Sequence, residues 1–284
     1  MPELPEVETT ARLLRGPLVG RSFRGLEVQW PRSLGGQEEA WVREQITGAR
    51  ITGVTRRAKL VIIEMARRGR PVGVLAVHLR MTGRLVVLDT GADPGRYARV
   101  SLPLDRGVLH FLDVRKFGRM TWHSDSIELF ARYGPEPLSD EFSVAWLRRA
   151  LGGRRRALKP LLLDQSFLAG LGNIYVDEVL FGAGLHPLRR SDRIPAHKVA
   201  RLHGMIQTVL REAIEREGSS FDSFYRTPEG RPGAYQEQFQ VYGRTGKPCR
   251  ACGRTIRRLV VGQRGTHICT RCQPAPRPLS SSRS

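Results

Sequence analysis

No cysteine precedes Cys249, and the 284-residue chain carries only four. A disulfide framework spreads cysteines through a secreted chain, so that architecture is excluded. No apolar run reaches the ~18 residues that a membrane helix needs, and no membrane partner is expected. The first ten residues are acidic and no apolar h-region follows them, so a secretory signal is not expected either. Acids are in short supply over the whole chain: 27 Asp and Glu stand against 47 Lys and Arg, a net charge of +20. Such an imbalance points to a polyanionic partner, because each phosphate neutralised by Lys or Arg releases condensed counterions. These absences together describe a cytoplasmic protein that meets nucleic acid. There is no internal repeat.

Hydrophobic content of 40% and charged content of 26% are those of an ordinary soluble chain, long enough for two domains with cores. "LPEVETTARLLR" sets Leu4, Val7, Ala11 and Leu14 at helical spacing, with Pro5 tolerated in a first turn. From about residue 20 to 123 the texture is β-rich. "AKLVIIEM", "VGVLAVHL", "RLVVL", "ARVSL" and "VLHFLDV" are short runs split by Gly, Pro and Asp, as in a sandwich or barrel. One helical interruption, "EEAWVREQI", falls at 38–46. "ARYGPEPLSD" breaks the chain at a linker of 132–140, and helical patterns follow at 143–151, 174–184 and 195–218.

The four cysteines form C-x2-C-x16-C-x2-C at Cys249, Cys252, Cys269 and Cys272. Two such pairs let four thiolates converge on one Zn2+, and the run between them alternates like a β-hairpin. Four thiolates close the coordination shell and leave no position for water, so this zinc is expected to be structural. Arg254, Arg257, Arg258 and Arg264 lie between the pairs, a composition that suits a DNA groove as well as a solvated basic face. "LAGLGNIY" places a Gly-x-Gly turn and Asn173 at a helix start, which reads equally as an anion site or as a tight turn. Upstream, Arg154, Arg155, Arg156 and Lys159 of "GGRRRALKP" favour the phosphate.

"MPELPEVE", "RRAKL", "HLRMTGRL", "DVRKFG", "GLGNIY" and the arginine-bearing zinc finger occur in this order, from residue 2 to about 273. The ordered set resembles the formamidopyrimidine-DNA glycosylase family. The resemblance implies an α+β multidomain protein with an N-terminal β-sandwich flanked by helices. A helix–two-turns–helix domain and a zinc-ribbon-like hairpin finger follow. With the linker as hinge 132–140, the domains are catalytic 1–131, helical 141–238 and finger 239–273, and the tail 274–284, which has nothing to bury, is expected to be disordered. The resemblance further implies a bacterial-type, nucleoid-associated monomer. Its partner is double-stranded DNA containing oxidised purines or abasic sites.

The family's chemistry carries over residue by residue. Pro2, freed by removal of Met1, matches the nucleophile that forms an iminium with the sugar C1′. An α-amino group near pKa 8 is roughly a tenth free at neutral pH, whereas a lysine near 10.4 is almost wholly protonated. Glu3 matches the general acid, Glu6 an auxiliary position, Lys59 the lysine of base excision and β-elimination, and Arg264 the arginine of δ-elimination. Met81, Arg115 and Phe117 match a wedge that fills the hole left by the extruded base. Taken alone, Lys59 is one cation among many, and Met81 and Phe117 read as core. Arg154, Lys159 and Asn173 are the DNA contacts expected from the basic run and the turn before the helix. "RYAR" at 96–99 replaces a Lys-His-x-His stretch, so Tyr97 stands where a histidine contacts DNA. The segment 218–226 corresponds to a lesion-capping loop. Two other readings stay open. One is the sister endonuclease VIII type, which prefers oxidised pyrimidines. The other is a non-catalytic DNA-binding module.

Overall fold

Periodicity alone accounts for the first element. In the computed structural model, which describes residues 1–221 and 225–276, helix α1 spans Leu4–Leu18 and turns its Leu4–Val7–Ala11–Leu14 stripe into a fully buried face. Pro5 sits in its first turn, where the missing N–H has no intrahelical acceptor to lose. Helix α2, Glu39–Ile46, buries Val42 and Ile46.

The β-rich region folds as two four-stranded antiparallel sheets. One has the order β1 (Glu27–Val28), β6 (Ala98–Pro103), β7 (Val108–Asp113), β5 (Gly83–Leu88). The other has the order β2 (Arg50–Arg57), β3 (Leu60–Arg67), β4 (Arg70–His78), β8 (Arg119–His123). Inward side chains of both sheets, among them Ile51, Ile63, Leu75, Leu85, Leu102 and Phe111, share one core with α1, which makes this a β-sandwich. Strands β1 and β2 lack a clean apolar alternation: β1 is only two residues long, and "RITGVTRR" of β2 reads polar because its far end carries two arginines.

Helices then take over: α3 (Ser126–Ala131), α4 (Val144–Gly152), α5 (Leu158–Leu163), α6 (Asn173–Ala183) and α7 (Ala196–Glu215). Side chains of Asp125 and Ser143 accept the first free amides of α3 and α4. The finger is a hairpin of β9 (Arg257–Val261) and β10 (Arg264–Ile268), with Val261 opposite Arg264 across a two-residue turn.

The chain divides into two units. One comprises Met1–Arg132 with Glu212–Gln236, and the other Tyr133–Arg211 with everything from Glu237 onward. Helix α7 crosses the division, so the segment after it returns to the unit that holds the sandwich. Residues 222–224 of the 218–226 loop, and 277–284 of the tail, lie outside the described residues. Among the described residues no helix is long and apolar enough to cross a membrane.

Candidate active site and nucleic-acid interface

Within the sandwich unit, Pro2 is buried and Glu3 is 2% exposed, immediately before α1. Glu6, one turn in, is the local organiser. Its Oε2 accepts from the Glu3 amide at 2.8 Å, and its Oε1 accepts from the Ser219 amide at 2.7 Å. One carboxyl therefore holds both the N-terminal segment and the stem of the 218–226 loop. The close approach requires Gly218: a β-carbon there would lie 2.7 Å from Glu6 Cγ, and the backbone has φ +79. The buried Tyr225 hydroxyl donates to the Glu6 carbonyl at 3.3 Å. Burial, reinforced by the nearby Glu6 charge, pushes this phenol well above its ordinary pKa.

Lys59, 6% exposed, lies on the turn between β2 and β3, where Arg57 pairs with Leu60. Ala58 takes a left-handed φ of 52°, a conformation that costs an L-residue about 1 kcal/mol. Arg56 braces this turn. Its Nη1 donates to the Ala58 carbonyl at 3.0 Å, and its Nε donates to Glu8 of α1 at 3.0 Å. Beside Lys59, burial and then the charges of Arg80 and Lys59 hold the His78 imidazole at about 3. His78 Nδ1 accepts from the Arg80 amide at 3.1 Å, so its proton sits on Nε2. His78 lies inside "HLRMTGRL", but no spacing rule singled it out.

Met81, Arg115 and Phe117 are on the surface of the same unit. Phe117 is 49% exposed, the Arg115 guanidinium lies 4.9 Å from its ring centre, and Met81 is half-buried. Phe117 thus departs from the core placement that its apolar character alone suggests. Tyr97 lies between two cations. The Arg96 guanidinium is 4.9 Å and that of Arg99 5.9 Å from its ring, and Arg96 donates to the phenol oxygen at 2.7 Å.

In the other unit, Arg154 is exposed, with its guanidinium 5.1 Å from the Phe167 ring. Lys159 is not at the surface, and this corrects the expectation of a phosphate contact there. Lys159 is 0% exposed, and its ammonium donates to Asp177 at 2.6 Å, Thr266 at 2.9 Å and the Gly265 carbonyl at 3.2 Å. A lysine sealed inside an ion pair has no proton to offer a phosphate. Asn173, the first residue of α6, turns its Nδ2 to the same Gly265 carbonyl at 3.1 Å. Asp177 also accepts from the His267 amide at 2.8 Å. Together these groups hold β10 in place beside the exposed Arg264. Glu178, on the next position of α6, accepts from the amides of Gln240, Val241 and Tyr242 and so fixes the segment entering the finger.

Sγ atoms of Cys249, Cys252, Cys269 and Cys272 all lie within 4.8 Å of one another. Sulfurs at the corners of a tetrahedral Zn2+ site are about 3.8 Å apart, given Zn–S bonds of about 2.3 Å. The observed separations of 3.4 Å for Cys252–Cys269 and 4.0 Å for Cys249–Cys272 bracket that edge. The cluster fits one structural Zn2+, packed on Val241, Ile256 and Phe181.

Comparison with known proteins agrees with this layout. Residues 1–120 match the formamidopyrimidine-DNA glycosylase N-terminal domain, residues 133–224 its H2TH domain, and residues 246–275 the zinc finger found in FPG and IleRS. Over 99% of its length the chain is 42% identical to a formamidopyrimidine-DNA glycosylase of Symbiobacterium thermophilum, of which it covers 92%. Over 96% of its length it is 44% identical to that of Herpetosiphon aurantiacus, covering all of that chain. The crystal structure of MutM (Fpg) from Thermus thermophilus superimposes with a TM-score of 0.86 at 40% identity, covering 97% of this chain and 100% of that one. A Lactococcus lactis Fpg mutant in complex with Fapy-dG DNA gives 0.88 at 36%, covering 96% and 100%.

Proposed function

The chain belongs to the formamidopyrimidine-DNA glycosylase family, and we propose that it excises oxidised purines such as 8-oxoguanine and ring-opened formamidopyrimidines from duplex DNA, then cuts the abasic strand by β,δ-elimination. The observation that carries this reading is the burial of Pro2 and Glu3 at the start of α1, in the unit that also holds Lys59. Relatives bound to DNA containing Fapy-dG, carbocyclic 8-oxo-G or an abasic site support the substrate class.

Once Met1 is removed, Pro2 presents a secondary amine at the positive end of a helix. The amine attacks the sugar C1′ while Glu3 donates a proton toward the opening sugar ring, and the base departs. The resulting iminium is an electron sink, which acidifies the C2′ proton for β-elimination. Lys59 serves base departure and that elimination. Arg264 holds the phosphate that leaves in the δ step. Glu6 acts as an auxiliary by holding the Glu3 amide. Met81, Arg115 and Phe117 occupy the space vacated by the lesion, with Arg115 hydrogen-bonding the orphaned cytosine. Arg154, Tyr97 with its two arginines, and the α6 N-terminus at Asn173 contact phosphates. The enzyme works as a cytoplasmic monomer and uses zinc only to build the finger.

The test is release of base from an 8-oxoguanine·C duplex against a thymine glycol·A duplex. Faster release of 8-oxoguanine is expected. Faster release of thymine glycol would move the chain to the pyrimidine-specific sister type.

A further inference from the structure

Residues 114–118 lie between β7 and β8 and belong to neither strand, so their amides need partners from outside a sheet ladder. Asp113, 1% exposed, supplies them. Its Oδ1 accepts from the Arg115 amide at 3.2 Å, and its Oδ2 accepts from the Gly118 amide at 2.7 Å. Thr82, also buried, donates its hydroxyl to Asp113 Oδ1 and accepts from the Arg115 amide at 3.0 Å. The backbone of Asp113 is pinned as well. Its amide donates to the Tyr97 carbonyl at 2.9 Å, and its carbonyl accepts from Arg99 Nε at 2.7 Å.

We propose that Asp113, through its bond to Thr82, is the positioning residue of the wedge, setting Met81, Arg115 and Phe117 before DNA arrives. The proposal rests on the void-filling reading above. Each wedge residue is at, or one bond along the chain from, a group tied to this carboxyl. Met81 precedes Thr82, Arg115 donates its own amide, and Phe117 precedes Gly118. Gly118 cannot be replaced without moving the brace, since a β-carbon there would lie 2.3 Å from Phe111 Cζ and 3.1 Å from Asp113 Oδ2. Arg119 secures the far side of the loop, donating to the carbonyls of Phe117 at 3.2 Å and Gly118 at 2.8 Å. A wedge held this way loses little conformational freedom on insertion, which is the advantage of preorganisation. Asp113 is 1% exposed and so is sealed from solvent behind the loop, and its effect falls on opening the stack and leaves the later chemistry in place.

The experiment compares Asp113→Asn, Thr82→Val, Thr82→Ser and Phe117→Ala in the full-length zinc-loaded enzyme. Each variant is assayed on an 8-oxoguanine·C duplex carrying 2-aminopurine beside the lesion, and on a preformed abasic duplex. Asp113→Asn and Thr82→Val should slow both the 2-aminopurine rise and base excision about tenfold or more, because small misplacements of positioned groups carry large rate penalties. Cleavage of the abasic duplex should stay within about twofold of wild type, and Thr82→Ser should restore excision. Thr82→Val deletes a single hydroxyl and keeps the test available if Asp113→Asn does not fold. If excision and abasic cleavage fall in parallel with the melting midpoint, Asp113 is merely structural and the proposal is overturned. If both Asp113 and Thr82 variants behave as wild type while Phe117→Ala loses the signal, the brace is wrong and the wedge stands. A wild-type signal from Phe117→Ala would remove the void-filling reading itself.

Discussion

Lys159 and Asp177 form a fully buried ion pair, 2.6 Å from ammonium to carboxylate, with side-chain exposures of 0% and 1%. The pair joins α5 to α6, and both residues bond onward to β10. Removing the lysine leaves the buried Asp177 carboxylate with only the His267 amide and imidazole, and removing the carboxylate leaves the buried ammonium with the neutral acceptors of Thr266 and Gly265. Lys159→Met or Asp177→Asn is therefore expected to destabilise the protein by about 3–5 kcal/mol. Urea unfolding of each variant checks this. The double change Lys159→Met with Asp177→Asn should recover part of the loss, because neither charge is stranded and the amide oxygen still accepts from the His267 amide.

Acid should unfold the protein from an unusually mild pH. His78 is held at about 3, and His110 and His186 are lowered mainly by burial. Each folded-state pKa lies below the unfolded value near 6.5, so the unfolded chain binds more protons in the interval between. The contribution is complete above about pH 6.5 and is lost as pH falls toward the folded value. Urea midpoints should drop between pH 7.5 and pH 5, before the carboxylates titrate. His78→Gln, which retains an acceptor for the Arg80 amide, should flatten that dependence. An unchanged slope in this variant would show that His78 is not its source.

Positive charge at 96–99 is supplied by arginine, so DNA binding there should not vary between pH 6 and 8. Arg96→Gln with Arg99→Gln should reduce the slope of log K against log salt by about 2. Tyr97→Phe should leave that slope unchanged, because the phenol contributes no counterion release. Titration of a duplex at several salt concentrations decides the matter.

Long periodic elements were legible in the sequence. The α1 stripe, the α6 and α7 patterns and the hairpin between the cysteines all appear where spacing predicts. The short helices α2 and α4 and the strands β5 to β7 were legible too, whereas β2 and α5 were not. Strand β2 carries an interior glycine and terminal arginines, and α5 reads as the end of a basic run although four of its six residues are buried. Lys159 shows why. A sequence displays charge but not burial, so a lysine beside three arginines looked like a phosphate ligand until Asp177 was found 2.6 Å away. Asp113 was hidden for a related reason. Its partners Thr82, Arg115 and Gly118 fall in two quoted motifs, yet only the fold brings those motifs together. The cysteines needed no such context, because ligand type and spacing already specify the metal.

The central claim is that the terminal imino acid makes a transient bond to a deoxyribose carbon. Borohydride reduction during turnover of an 8-oxoguanine duplex, followed by mass mapping of the linked peptide, tests it most directly. The account predicts a protein lacking Met1 with the sugar remnant on Pro2. An adduct on an internal side chain, or full activity in molecules that retain Met1, would contradict it.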